Sequence, residues 1–386
     1  MGGLAALIDE RELVTLVQKM IQTPSLTTEE EAIAALLANE MERLGFSPVQ
    51  VDEQYNVFGY INPQGRPMLM FNGHIDHAGV GDMPQPFSGE IQDGSVFGTP
   101  GPVIYGRGGC DMKAAVAAMI HAAAALAKSQ RTPRGGVVVT AVALEERNGE
   151  GTSYVLDHDG VKGDLAVSGE ATDLGVYIGH RGKYNVKVTV KGKTSHASNP
   201  ESGINAIYKM QEFLARLRRE YELPSHPWLG DCTYSVVDIM ASPGWVSPIV
   251  PDRCSIIIDR RILPGESKEK ILGEFDTLIA RHKEQDPQFE AETEIVTYTL
   301  PMFTDPQAPV VESMLHAREK VLGSRGSLGT WQFGTDAPYI MERGIPCVGF
   351  GPGDERFAHT PEEHVPVDDV IQAARVYAQL IEDICL

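Results

Sequence analysis

Val137-Val138-Val139-Thr140-Ala141-Val142-Ala143-Leu144-Glu145-Glu146 is the stretch on which the reading of this chain turns. Eight apolar or small residues, rich in β-branched side chains, run on without a charge, and two carboxylates follow at once. A strand with one wet face alternates apolar and polar residues. A continuous apolar run belongs to a strand covered on both faces, as in a parallel sheet between helix layers. Such a strand presents Glu145 and Glu146 at its carboxyl end, where open α/β sheets gather their ligands.

The same arrangement recurs outward from this strand. Met68 to Phe71 leads to His74, Leu165-Ala166-Val167 leads to Glu170, and Ile345 to Phe350 leads through Gly351-Pro352-Gly353 to His359. Val49 to Val57 reads as one more strand. Helices are predicted between them. Ile33, Leu36, Leu37, Met41 and Leu44 recur at helical spacing, with Thr27/Thr28 as N-cap and Gly45 as stop. Met112 to Ala127 is an Ala-rich helix, and Val310 to Leu322 and Val370 to Ile384 close the chain. This alternation predicts an α/β fold, a mostly parallel sheet with helices on both faces.

The middle of the chain has another rhythm. Val186, Val188 and Val190 alternate with Lys187, Thr189 and Lys191, a strand with one exposed face. The order strand, helix (204–219), strand (233–240), strand (254–262), helix (268–282), strand (289–298) is the ferredoxin-like α+β pattern. Residues 179–299 are therefore expected to form an inserted domain, and 1–178 with 300–386 the domain that carries the carboxylates. A length of 386 residues suits two cores.

Composition excludes several functions. A net charge of −20 argues against a nucleic-acid binder, which needs a basic stripe. Five scattered cysteines with no CxxC pair argue against a disulfide framework or a zinc knuckle. Neither an apolar run of membrane-spanning length nor a basic n-region before an apolar stretch is evident, so a cytoplasmic protein is expected.

His74, Asp111, Glu145-Glu146, Glu170 and His359 are metal-ligand types, each in or beyond a strand exit. Two imidazoles and three or more carboxylates can hold two divalent cations about 3.5–4 Å apart, a water-activating centre. Asp76, two residues after His74, falls on the same side of the chain and can orient the imidazole. Neighbouring residues on a strand point oppositely, so one of Glu145 and Glu146 can ligate while the other handles protons.

The motifs Gly73-His74-Ile75-Asp76, Gly106-Arg107-Gly108-Gly109-Cys110-Asp111-Met112-Lys113, Glu145-Glu146, Ser168-Gly169-Glu170 and Ala358-His359-Thr360-Pro361-Glu362-Glu363 together resemble one family. It is the di-zinc family of aminoacylases, acetylornithine deacetylase, succinyl-diaminopimelate desuccinylase and carboxypeptidase G, and the likeness spans essentially the whole chain. The resemblance implies that Asp111 bridges two metals, with His74 and Glu170 completing one site and Glu146 and His359 the other. It makes Glu145 the general base and Asp76 the carboxylate behind His74. The inserted domain resembles the family's lid and dimerisation domain, which implies a homodimer. There Lys193-Thr194-Ser195-His196 implies that His196 stabilises the oxyanion, and Asp259-Arg260-Arg261 that Arg261 grips a substrate carboxylate. Gly334-Thr335-Asp336-Ala337 resembles a loop lining the same cleft, with Gly334 and Thr335 against substrate.

One segment departs from the family pattern. Many deacylase members carry an asparagine near the Val-Pro-Asp segment, and Val246-Ser247-Pro248-Ile249-Val250-Pro251-Asp252 has none. Cys110 precedes Asp111 and reads as a small core residue, since its neighbouring ligands are oxygen and nitrogen. The implied activity is amidohydrolysis of an N-acyl amino acid or related small molecule, with zinc as the expected metal and cobalt or manganese as alternatives. A carboxypeptidase or dipeptidase uses the same centre and stays open. A non-catalytic binding relative is disfavoured by the complete ligand set.

Overall fold

The computed structural model describes residues 3–147, 149–245 and 248–386, and divides into two compact units. The first comprises Met1–Gly179, Phe303–Trp331 and Thr335–Leu386; the second comprises His180–Met302 and Gln332–Gly334.

A nine-stranded sheet organises the first unit. Its centre runs Gly136–Val142, Met68–His74, Leu165–Ser168, Cys347–Gly349, all mutually parallel. Antiparallel strands flank it on both sides, Val57–Ile61 against Gly136–Val142 and Val176–His180 against Cys347–Gly349. All seven residues of Gly136–Val142 and of Met68–His74 are buried, which is why neither shows alternation. Consecutive side chains nonetheless meet different helices. Phe71 packs edge-on against Tyr377 of the helix Val367–Cys385. Asn72 reaches instead to Thr152 of the helix Glu150–Asp157, so helices cover both faces. The Ala-rich helix Ala114–Lys128 lies in the same core, buried from Ala114 to Leu126.

Several local expectations give way to tertiary demands. Val49 to Val57 is two strands, Val49–Val51 and Val57–Ile61, paired antiparallel. The Asp52 carboxylate folds the chain between them by accepting from the main-chain N–H of Gln54 and Asn56 and from Asn56 Nδ2. The second helix begins at Glu31, and neither threonine caps it. Thr27 is drawn away, its hydroxyl donating to Asp76 Oδ2 at 3.0 Å. A stretch of membrane-spanning length does exist: Gly109–Lys128 has mean hydropathy 1.4, but 89% of its window is buried in the core. A small sheet of His364–Pro366, Pro102–Tyr105 and Ile91–Asp93 escaped sequence reading because its strands are only three or four residues long.

The second unit is a four-stranded antiparallel sheet in the order Tyr234–Ser242, Arg253–Ile262, Gly182–Lys191, Glu290–Thr299. In chain order that is 2-3-1-4, the ferredoxin-like arrangement. Helices Ala206–Glu220 and Lys268–Gln285 share its core, where Phe213, Leu217, Phe275 and Leu278 join Val186, Val188, Val190, Ile256 and Ile258. Lys187 pairs with Glu294 on the opposite side, at 2.8 Å. Of the segment lacking an asparagine, Val246 and Ser247 lie outside the described residues.

Candidate metal centre

His74 and Glu170 are set at strand exits, Asp111, Glu145 and Glu146 by short turns, and His359 by the loop after the helical turn Glu355–Phe357. His74 ends the strand Met68–His74, and Glu170 lies two residues beyond Leu165–Ser168. Asp111 sits in the irregular turn Gly109–Lys113, with φ −122 and ψ 92, just before the helix Ala114–Lys128. Glu145 and Glu146 occupy a short helical turn rather than a strand end, so strand alternation does not govern their directions. Leu144, immediately before them, has φ +60, and His359 has φ +62. Left-handed backbone is costly for such residues and clusters at functional sites.

The side chains converge in two groups that share Asp111. His74, Asp111 and Glu170 form one and Asp111, Glu146 and His359 the other, the candidate ligand atoms in each lying within 4.8 Å of one another. Asp111 lies between the histidines, Oδ1 at 2.8 Å from His74 Nε2 and Oδ2 at 3.1 Å from His359 Nε2. His359 Nε2 is also 2.8 Å from Glu146 Oε1, and His74 Nε2 is 3.7 Å from Glu170 Oε1. Glu170 Oε2 is buried with no hydrogen-bond partner among the described residues.

Asp76 is fully buried and has a wider role than the sequence implied. His74 Nδ1 meets the main-chain carbonyl of Asp76 at 3.0 Å, with carboxylate Oδ1 further off at 3.5 Å. The carboxylate also accepts from the main-chain N–H of Glu145 and of Glu146, each at 3.2 Å, and from Thr27. It therefore anchors the turn that carries both glutamates.

Electrostatics points the same way. Burial opposes ionisation of Asp111, yet hydrogen bonds from both histidines outweigh it and hold its carboxyl far below the ordinary range. The Asp111 and Glu146 carboxylates raise His359 to about 10. Burial pushes Glu145 and Glu170 well upward, and neighbouring carboxylates add to it. Four carboxylates crowded together are stable only if positive charge accompanies them. Two divalent cations match that charge, and the O/N donor set suits zinc, cobalt or manganese.

Two nearby groups were missed by sequence reading. Asp336 is buried, with Oδ2 accepting from Thr152 and Oδ1 unpartnered among the described residues; burial pushes its carboxyl up to about 6. Glu363 is buried against Arg107. Its neighbour Glu362 is exposed, and nothing local distinguishes the two in the sequence.

Thr335 is buried in the first unit, its hydroxyl accepting from Ala337 N–H at 3.3 Å. The remaining candidates belong to the second unit. There the backbone of Gly334 passes so close to Thr299 that a Cβ would stand 2.5 Å from its Cγ2. His196 is exposed, and its Nδ1 accepts from the main-chain N–H of Ser198 at 3.1 Å. In the neutral ring that leaves the proton on Nε2, an outward donor. Arg261 is half-buried and held by Asp259 at 2.8 Å, whereas Arg260 beside it is buried and committed to Glu266 at 2.9 Å. Another cluster, Glu212, His282 and Asp286 in the second unit, is already met by basic side chains. Arg216 donates to His282 Nδ1 at 3.1 Å, and Lys209 pairs with Asp286.

Residues 70–383 match the model of Peptidase family M20/M25/M40. The chain belongs to this family. It is 30% identical over 394 residues to the uncharacterized protein YgeY of Escherichia coli K12, covering 96% of this chain and 94% of that one. It is 28% identical over 329 residues to acetylornithine deacetylase of Myxococcus xanthus, covering 83% and 81%. Among solved structures, aminopeptidase PepT of Bacillus cereus shares the fold, with TM-score 0.78, 22% identity and coverage of 97% and 99%. As a member of the M20 family the protein is a hydrolase of amide or peptide bonds.

Proposed function

We propose that this M20 protein is a two-metal amidohydrolase that cleaves the N-acyl amide of an amino acid or a related small molecule. The observation that carries the reading is Asp111, with one oxygen on each histidine and a further carboxylate completing each group. In this reading His74, Asp111 and Glu170 hold one divalent ion, and Asp111, Glu146 and His359 hold the other. Zinc is the first choice. Bound there, the ions supply Lewis acidity and lower the pKa of water.

The chain's own residues do the rest. Glu145, raised by burial and by adjacent carboxylates, takes the proton of the attacking water and returns it to the leaving amine. Asp76 holds Glu145 and Glu146 in place through their main-chain N–H groups. His196 offers its Nε2–H to the developing oxyanion, and Arg261, with Gly334 and Thr335, is assigned to substrate. The similarity to an acetylornithine deacetylase supports the deacylase reading. The family description, a peptidase, supports a carboxypeptidase or dipeptidase as the second reading.

A homodimer is proposed through the second unit. Tyr234–Ser242 ends the sheet order, and Val237, Ile239 and Met240 on it are 58%, 56% and 61% exposed. An apolar edge strand of this kind invites pairing with another copy. Five buried, free cysteines support a reducing compartment, the cytoplasm.

The test is release of primary amine from N-acetyl, N-formyl, N-succinyl and dipeptide substrates, after chelation and after restoring zinc, cobalt or manganese. Metal-restored cleavage of one acyl class is the expected result. Cleavage of dipeptides alone favours the second reading, and turnover undiminished by chelation refutes the metal mechanism.

A further inference from the structure

Arg107 and Glu363 form a buried ion pair that the reaction does not use. Arg107 is 2% exposed and Glu363 is fully buried. Burying two charges is costly, and apolar replacements of such pairs are often as stable, so the pair is weak evidence for stability alone. Its connections indicate a second role. While Glu363 Oε2 takes Arg107 Nη1, Oε1 accepts from the main-chain N–H of Cys110 and of Asp111, each at 3.2 Å. Asp111 and Met112 have non-helical backbone, and the wide main-chain bonds that span the turn, Lys113 N–H to Gly108 and Ala114 N–H to Gly109, leave the Cys110 and Asp111 N–H groups to Glu363.

Glu363 is also tied to the other ligand-bearing loop. It stands four residues after His359, and its carbonyl accepts from Gly106 N–H at 3.1 Å. The next residue, His364, pairs with Tyr105 in antiparallel register, and Tyr105 Oη lies 3.1 Å from the carbonyl of Pro361. One carboxylate therefore joins the turn bearing Asp111 to the loop bearing His359.

We propose that Glu363 is a positioning residue for the metal centre: its carboxylate fixes the main chain of Asp111 so that the two Asp111 oxygens meet His74 and His359. Arg107 keeps that carboxylate aimed. The proposal rests on the two-metal reading above. The competing account is a salt bridge that merely joins two loops.

Two double variants separate them, because both abolish the ion pair and only one keeps an acceptor for the Asp111 N–H. R107M/E363Q retains a carbonyl oxygen; R107M/E363L does not. Cobalt affinity of the metal-free protein, measured by chelator competition and read from the visible cobalt spectrum, should stay within about threefold of wild type in R107M/E363Q. It should fall roughly 10–100-fold in R107M/E363L, the usual effect of losing a group that orients a ligand. Equal affinity in both variants, whether retained or lost, overturns the proposal. Should the leucine variant not fold, a loss beyond tenfold in R107M/E363Q alone overturns it. A wild-type protein that binds no cobalt or zinc sinks the two-metal reading itself.

Discussion

Replacing Asp76 by asparagine should unseat Glu145 and Glu146 without altering any proposed ligand atom. The carboxylate is fully buried and accepts three hydrogen bonds: Glu145 N–H on Oδ1, and Glu146 N–H and the Thr27 hydroxyl on Oδ2. Asparagine offers one oxygen and one NH2, so in either orientation a main-chain N–H of the turn faces another donor. A hydrogen bond to a charged acceptor contributes about 1.5–3 kcal/mol, and a stranded buried donor costs about 1–3 kcal/mol. Thr27 can rotate its hydroxyl, so the loss centres on one main-chain donor and totals about 2–4 kcal/mol. For a domain of this size that lowers Tm by roughly 5–10 °C. A turn displaced by a fraction of an ångström carries the base with it, and kcat should fall on the order of 10–100-fold.

Urea unfolding and turnover, run on D76N beside T27A, form the assay. T27A removes one bond but leaves both N–H anchors, so it should cost about 1 kcal/mol and barely move kcat. The pH dependence adds a signature. Burial opposes ionisation of Asp76, but His74, Thr27 and the Glu145 N–H outweigh it, leaving the folded pKa below the ordinary value. Asp76 therefore stabilises the fold fully above about pH 4, and this contribution fades as pH falls through the folded pKa. The stability gap between wild type and D76N should narrow toward acid. A D76N protein within about 0.5 kcal/mol of wild type and with unchanged kcat would refute the anchoring role.

Other outcomes follow from the same geometry. Glu145→Gln should retain both metals by elemental analysis while kcat falls roughly 10²–10⁴-fold; full activity in a metal-replete variant would remove Glu145 as base. Gly149→Ala should destabilise by about 2–4 kcal/mol, measured by thermal unfolding. Its φ is +66, and a Cβ there would stand 2.3 Å from both Asp336 Oδ1 and the Tyr339 ring. Val237→Glu on the exposed edge strand should shift sedimentation from dimer to monomer with the circular dichroism spectrum unchanged, and a persisting dimer would place the interface elsewhere.

What could be read along the chain was what depends on local spacing. The unbroken run of Val137 to Leu144 marks a strand covered on both faces, because hydrophobic periodicity is a property of neighbours in sequence. The end of each such strand then marks where ligands gather, and His74 and Glu170 are found there. Alternation in Val186 to Lys191 likewise distinguishes the second unit's sheet, one face packed and the other charged. The roles proposed for Asp111 and His359 come from the family motifs, since spacing alone does not assign them.

What only the folded chain decided is the choice of polar partners across long separations. Glu363 meets Cys110 across a separation of 253 residues, and Thr152 meets Asp336 across 184. Asp76, which the sequence offered as a support for one imidazole, proves to anchor the Glu145-Glu146 turn. Val49 to Val57 reads as one strand, and the Asp52 carboxylate folds it into two. The physical reason is common to all of these. Apolar burial is non-directional, so its pattern survives in the sequence, whereas a buried carboxylate must find donors within about 3 Å in a fixed direction, and tertiary packing alone determines which donors those are.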